Sequence, residues 1–202
     1  DDDEMKIGIN GVLTKVTFDT VELCKRIQQG TSKKLTFIFF SQHTSNQLAY
    51  LSAKKQLSRE LKYFDLVPFS DYLTYMKTIT ECHFLLPTLP FGGSNSNIDA
   101  MVLNKPKLFL RGKEQIYTKC DQWEWERVDL HGEFGSNSID ELVEKAIQII
   151  SDSSYRKKLH HLLVDNCTIE SVFGKGKAPQ SAISQMFLEF IEHSLKKGNA
   201  SE

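Results

Sequence analysis

LTFIFF, residues 35–40, is a short run of apolar, β-branched and aromatic side chains bounded on both sides by polar clusters. A strand with one wet face alternates apolar and polar residues, whereas this run does not alternate, so it reads as a strand covered on both faces. Its neighbours complete a pattern. Upstream, residues 6–10 (KIGIN) read as a short strand, and residues 17–30 (TFDTVELCKRIQQG) as a helix ended by Gly30, with Val21, Leu23, Cys24 and Ile27 spaced for one face. Downstream, residues 45–60 read as a helix, LKYFDLVPF (61–69) as a strand, SDYLTYMKTITE (70–81) as a helix capped by Ser70, and CHFLLP (82–87) as a strand. Strands alternating with helices through short connections predict an α/β fold, a Rossmann-like parallel sheet with helices on both faces.

The remainder is less regular. SNIDAMVLN (96–104) predicts a helix and PKLFL (106–110) a strand, while residues 113–131 form an irregular segment rich in Trp, Glu and Lys. Residues 138–150 (SIDELVEKAIQII) are amphipathic, with Ser138 as N-cap and Glu141 completing a capping box. Helices are also expected over 153–165 and 178–195, with a linker-like GKGKAPQS between them at 174–181. The expectation is a single domain over residues 1–202, in which residues 170–202 form a C-terminal helical extension.

Composition narrows the function. The 202 residues are 40% apolar and carry a net charge of −1 with both signs mixed along the chain, so nucleic acid and anionic membrane are not expected partners. No apolar run approaches the roughly 20 residues that span a bilayer, and the acidic start DDDEMK is unlike a signal peptide. A cytoplasmic location is therefore expected, and the absence of Met at position 1 suggests a fragment or processed product. Cys24, Cys82, Cys120 and Cys167 are scattered without CxxC spacing and read as reduced and structural. With the histidines equally scattered, no metal site is expected.

The chemistry concentrates in residues 87–106, PTLPFGGSNSNIDAMVLNKP. In wound α/β sheets ligands bind at the carboxyl ends of the strands, where this loop falls. Gly92 and Gly93 permit close backbone approach, and Ser94, Asn95 and Ser96 bring hydroxyl, amide and N–H donors to a helix N-terminus, an arrangement suited to phosphate. Asp99 lies one turn after Asn95 on the same face. Because a carboxylate beside phosphate is repelled unless it has other work, such as accepting from a ribose diol, the spacing suggests a nucleotide. The plainer alternative is an ordinary turn with Ser94 as N-cap and Asp99 as a first-turn acid. Neither GxGxxG after the first strand nor GxxxxGK[ST] is present, which disfavours a dehydrogenase or a P-loop ATPase.

The segment CHFLLPTLPFGGSNSNIDAMVLNKPKLFLRGKE resembles the donor-binding signature of the C-terminal half of family 41 glycosyltransferases, above all the bacterial high-molecular-weight-adhesin type with its NPFPFGNTNGxxD pattern. The eukaryotic O-linked N-acetylglucosamine transferase is a more distant relative. Gly92, Ser94, Asn95 and Asp99 fall on the pattern, Gly93 stands for an asparagine and Ser96 for a glycine. NGVLTK resembles the segment whose lysine contacts the pyrophosphate, which maps that catalytic role onto Lys15. By the same resemblance uracil lies near Val67, Pro68 and Phe69, with Tyr72 close by. After RGKE, the family's histidine-containing EVHxHID run is replaced by EQIYTKCDQWE.

The resemblance implies the C-terminal half of a GT-B fold, facing an N-terminal acceptor domain that is not in these residues. It implies an inverting, metal-independent transferase that uses UDP-glucose or UDP-GlcNAc as donor substrate, without a further cofactor, and moves the sugar to Asn or Ser/Thr of a protein acceptor such as an adhesin. Expected partners are the acceptor and an N-terminal domain or partner subunit; in isolation weak or no turnover is expected. The alternatives are a degenerate GT-B half acting as a binding or assembly module, with Trp123 and Trp125 at an interface, and a domain for some other nucleotide.

Overall fold

The computed structural model describes residues 4–41, 47–112 and 118–173. Strands β1 (Glu4–Val12), β2 (Lys34–Phe40), β3 (Phe64–Val67) and β4 (Phe84–Leu86) form a parallel sheet in the order β3-β2-β1-β4. In register, Ile7 of β1 faces Phe37 of β2 on one side and Phe84 of β4 on the other. Strands β5 (Phe109–Leu110) and β6 (Gly135–Ser136) pair in parallel and are joined to β4 by the bridge between Leu85 and Lys107. The resulting order, 3-2-1-4-5-6, is that of a doubly wound sheet.

Leu35, Phe37, Ile38, Phe39 and Phe40 are all buried, on alternating sides of β2, so the sheet is covered on both faces as the unbroken run predicts. Helix α1 (Phe18–Gln29) buries Thr20, Leu23, Cys24 and Ile27, one stripe at helical spacing, and packs on α7 (Ile139–Ser151). The contact is close enough that a Cβ on Gly30 would stand 2.3 Å from Ile147 Cδ1. Helices α2 (Gln47–Glu60), α3 (Tyr72–Glu81), α4 (Asn95–Val102) and α8 (Ser153–Asn166) follow the expected segments.

Some local details differ. The cap of α3 is Asp71, not Ser70: its carboxylate accepts from Thr74 N at 3.0 Å and from Thr74 Oγ1 at 2.7 Å, and these bonds hold its pKa below the ordinary value. Ser138 does cap α7, accepting from Glu141 N at 3.1 Å, but Glu141 returns its side chain to Asn137 N, one residue before the cap. Replacing Ser138 by Ala should lower stability by about 1 kcal/mol in denaturant unfolding, since that N–H loses its partner. The irregular segment contains α5 (Cys120–Glu126) and α6 (His131–Phe134). Trp125 is fully buried against Phe134, ring centroids 4.7 Å apart, so it belongs to the core, whereas Trp123 is half exposed. A last helix, α9 (Ile169–Phe173), ends the described region; the expected helix at 178–195 and linker at 174–181 lie outside it. All four cysteines are free thiols.

Candidate functional site

Strand order reverses between β1 and β4, so the chain leaves these two neighbours in opposite directions and a crevice opens beyond their carboxyl ends. Asn10, Gly11 and Val12 are the last residues of β1, a single 3-10 turn (Leu13–Lys15) follows, and the loop after β4 runs into α4. Helix α1 fixes that loop from below: Thr17 Oγ1 donates to Leu89 O at 2.6 Å, and Leu89 N donates to Thr20 Oγ1 at 2.9 Å. The crevice encloses about 310 Å³ and is lined by Asn10, Gly11, Lys15, Tyr75 and Asp99 together with Gly93 to Ser96.

The structure thus brings Lys15, Gly93, Ser94, Asn95, Ser96 and Asp99 to one place. Lys15 Nζ donates to Gly92 O at 3.0 Å, which tethers the turn after β1 to the glycine loop. At the N-terminus of α4, Ser94 makes no side-chain cap bond, and the N–H groups of Asn95 and Ser96 have no intrahelical acceptor by position. Their positive dipole end faces the crevice. Neither glycine has a positive φ. They are required by close approach instead: a Cβ on Gly92 would lie 2.0 Å from Asp121 Oδ2, and one on Gly93 would lie 1.9 Å from Ser96 Oγ. The neighbours that demand glycine are the protein's own side chains.

Asp99 is held at both oxygens. Tyr72 donates to Oδ1 at 2.6 Å and Tyr75 to Oδ2 at 3.0 Å, while the Tyr75 hydroxyl also lies 2.8 Å from Asn10 Oδ1. The bond to Asp99 pushes Tyr72 up to about 12; burial, reinforced by Asp99, pushes Tyr75 up further. Both phenols therefore remain neutral donors near neutral pH, and each carboxylate oxygen keeps a further lone pair for a ligand hydroxyl. Tyr72 lines an adjoining cleft of about 760 Å³ with Phe69, Ser70, Asn95 and Ile98. Pro68 is exposed beyond the end of β3 and lines neither cleft. Among the described residues, no three His, Cys, Asp or Glu side chains are grouped to hold a metal ion, and no helix is long and apolar enough to cross a membrane.

No family model matches the chain. Two curated proteins do, the UDP-glucose:protein N-β-glucosyltransferases of two serotypes of Actinobacillus pleuropneumoniae, each 24% identical over 194 residues, 96% of this chain and 30% of the relative. The chain is a homologue of these glucosyltransferases. It spans about a third of the length of the curated relatives it matches. Among solved structures, a mutant of the Thermobaculum terrenum O-GlcNAc transferase superposes with a TM-score of 0.76 at 14% identity, over 93% of this chain and 36% of that one. Anabaena HepE, in complex with UDP and glucose, superposes with a TM-score of 0.59 at 14% identity, over 95% of this chain and 49% of that one. At this identity the superpositions establish the fold, a Rossmann-like domain matching GT-B glycosyltransferases.

Four residues in and beneath the crevice escape sequence reasoning: Asn10, Tyr75, Lys107 and Asp121. Asn10 donates through Nδ2 to Ser96 O at 2.9 Å. Asp121 is buried under the glycine loop, where Oδ1 accepts from Gly93 N at 2.9 Å and from Asn97 Nδ2 at 2.7 Å. Lys107, fully buried just before β5, donates to Ser96 Oγ at 3.1 Å. A polar residue ending β1 and a lysine inside an apolar run were the available signals for Asn10 and Lys107. Asp121 gave none, because its helix follows no legible pattern.

Proposed function

We propose that this chain is the donor-binding portion of an inverting, metal-independent protein glycosyltransferase that moves glucose or a related hexose from UDP to Asn, or to Ser or Thr, of an acceptor protein such as an adhesin, in the cytoplasm. The observation that carries this reading is the convergence of Lys15, the open N-terminus of α4 and Asp99 on one crevice at the reversal of the sheet. Homology over 96% of the chain to proteins named UDP-glucose:protein N-β-glucosyltransferase supports the donor and the protein acceptor.

In this reading the diphosphate lies between the Lys15 ammonium and the N–H groups of Asn95 and Ser96, and the ribose diol donates to Asp99. Uracil lies toward Phe69 and Tyr72. As the bond from anomeric carbon to phosphate breaks, negative charge grows on departing UDP. A fixed ammonium and a helix dipole stabilise that charge without reorganising. Inversion requires the acceptor nucleophile to attack from the side opposite the phosphate, and that side is assigned to a facing domain. Exposed Phe18, Leu48, Phe69, Leu73 and Phe91 all lie at or just before helix starts on the carboxyl end of the sheet, which suits such a contact.

The test is thermal stability with UDP, UDP-glucose and UDP-GlcNAc, against ATP and NAD. At ~100 times its dissociation constant a ligand stabilises the folded chain by about 2.7 kcal/mol, a readable shift. Stabilisation by UDP but not by ATP or NAD is expected. A folded chain indifferent to UDP would leave only the architecture, and the assembly-module reading would replace this one.

A further inference from the structure

Lys107 is the most costly side chain in the described structure to explain as scaffold. It is completely buried, and its nearest carboxylate, Asp121 Oδ1, stands 3.9 Å away, beyond hydrogen-bond reach. That oxygen is already engaged by Gly93 N and Asn97 Nδ2. Of the three donors of the ammonium, one has a partner among the described residues, Ser96 Oγ. Burial pulls the Lys107 pKa down, while Asp121 and Asp99 oppose that shift. A buried cation with so few partners is unfavourable unless something else compensates it.

The geometry at Ser96 supplies a use for it. An ammonium has no lone pair, so in the contact between Lys107 and Ser96 the serine must accept. The hydroxyl then has one proton left to give, and Ser96 lines the crevice at the N-terminus of α4. Among the described residues no other group receives that proton. The backbone of Ser96 is fixed at the same time, because its carbonyl accepts from Asn10. Asp121 keeps the arrangement in place by holding Gly93 and Asn97 on either side.

We propose that Lys107 is a positioning residue for the donor diphosphate: its buried ammonium occupies the acceptor side of Ser96 Oγ, turns that hydroxyl into a fixed donor toward the crevice, and places a positive charge that Asp121 only partly offsets behind the α4 N-terminus. The inference rests on the donor-site reading above, because it needs an anion in the crevice. A diphosphate completes the charge that Asp121 only partly offsets, whereas a neutral nucleoside does not. Lys107 therefore selects for the phosphates and is indifferent to uracil and ribose.

The experiment is calorimetric titration with UDP and with uridine, on the parent chain, Lys107→Met, Ser96→Ala and the double variant. Lys107→Met should weaken UDP about tenfold, one hydrogen bond's worth, and leave uridine unchanged. Ser96→Ala should weaken UDP by no more than that, and the double variant should be no worse than Lys107→Met alone, because without the ammonium the hydroxyl is no longer a fixed donor. Equal loss of UDP and uridine in Lys107→Met, or losses that multiply in the double variant, would overturn the proposal and leave Lys107 as scaffold. If Lys107→Met does not fold, Ser96→Ala decides alone, since undiminished UDP binding there also overturns it. A parent chain that binds neither ligand would instead remove the donor-site reading itself, a result distinct from a parent that binds UDP and variants that bind it equally well.

Discussion

Replacing Asp121 by Ala is expected to destabilise the fold by about 3–5 kcal/mol, the cost of leaving a buried cation without its counter-charge. Lys107 is fully buried, and Asp121 is its only carboxylate within 4 Å among the described residues. The same substitution orphans Gly93 N and Asn97 Nδ2, in a neighbourhood where Asn97 Oδ1 already has no partner among the described residues. The effect has a pH signature that separates charge from packing. Burial lowers the Lys107 pKa, so between that value and the ordinary 10.5 the unfolded chain holds the proton more tightly than the folded one, and stability rises with pH. Removing Asp121 takes away an influence that opposes the lowering, so the window should widen downward. Urea unfolding of the parent and the variant near pH 7 and near pH 10 checks both points. The gap between them should narrow as the pH rises through the lowered Lys107 pKa and the folded chains give up the buried cation. A loss below about 1 kcal/mol, or one independent of pH, would show that the pair carries little charge interaction. Asp121→Asn, which retains an acceptor for Gly93 N while discarding the charge, should fall between parent and Ala.

The fold was legible because its signals were local. An unbroken apolar run at 35–40 requires cover on both faces, and the helical spacing of Leu23, Cys24 and Ile27 supplies part of that cover. Lys15 and the residues from Gly93 to Asp99 were legible because two short segments, NGVLTK and FGGSNSNID, carry most of the crevice. What the sequence hid is the support beneath them. Asp121 lies 28 positions beyond Gly93 on a seven-residue helix, too short to announce itself by periodicity. Lys107 sits inside PKLFL, where a lysine in a strand reads as solvated; in the fold it is buried, reaching Ser96 on α4 and facing Asp121 on α5. The purpose of the glycines was likewise tertiary, since only the folded chain shows that Asp121 and Ser96 occupy the space a side chain would need. The Ser70 cap missed by one residue because two adjacent residues can both cap a helix, and the carboxylate of Asp71 won with two bonds to Thr74.

Lys15 and Asp99 touch different parts of the proposed donor, so their substitutions should separate. Lys15→Met is expected to weaken UDP by up to about 100-fold, equivalent to about 3 kcal/mol, the upper end for a hydrogen bond to a charged group. Uridine should bind as before, because nothing in the nucleoside carries the charge that the ammonium meets. The bond that Lys15 makes to Gly92 O is partly exposed and replaceable by water, so the variant should unfold at nearly the parent's denaturant concentration. The UDP loss should shrink as salt is raised, since screening already weakens the parent's contact. Asp99→Ala should behave differently. Its carboxylate is the shared acceptor of Tyr72 and Tyr75, and in the proposed complex it also receives the ribose diol, so uridine and UDP should weaken together. If Lys15→Met reduced uridine and UDP alike, the turn after β1 would be a structural strut and not the phosphate cation. If Asp99→Ala spared uridine, the ribose would have to lie elsewhere, and the two tyrosines alone would account for the acid at this position.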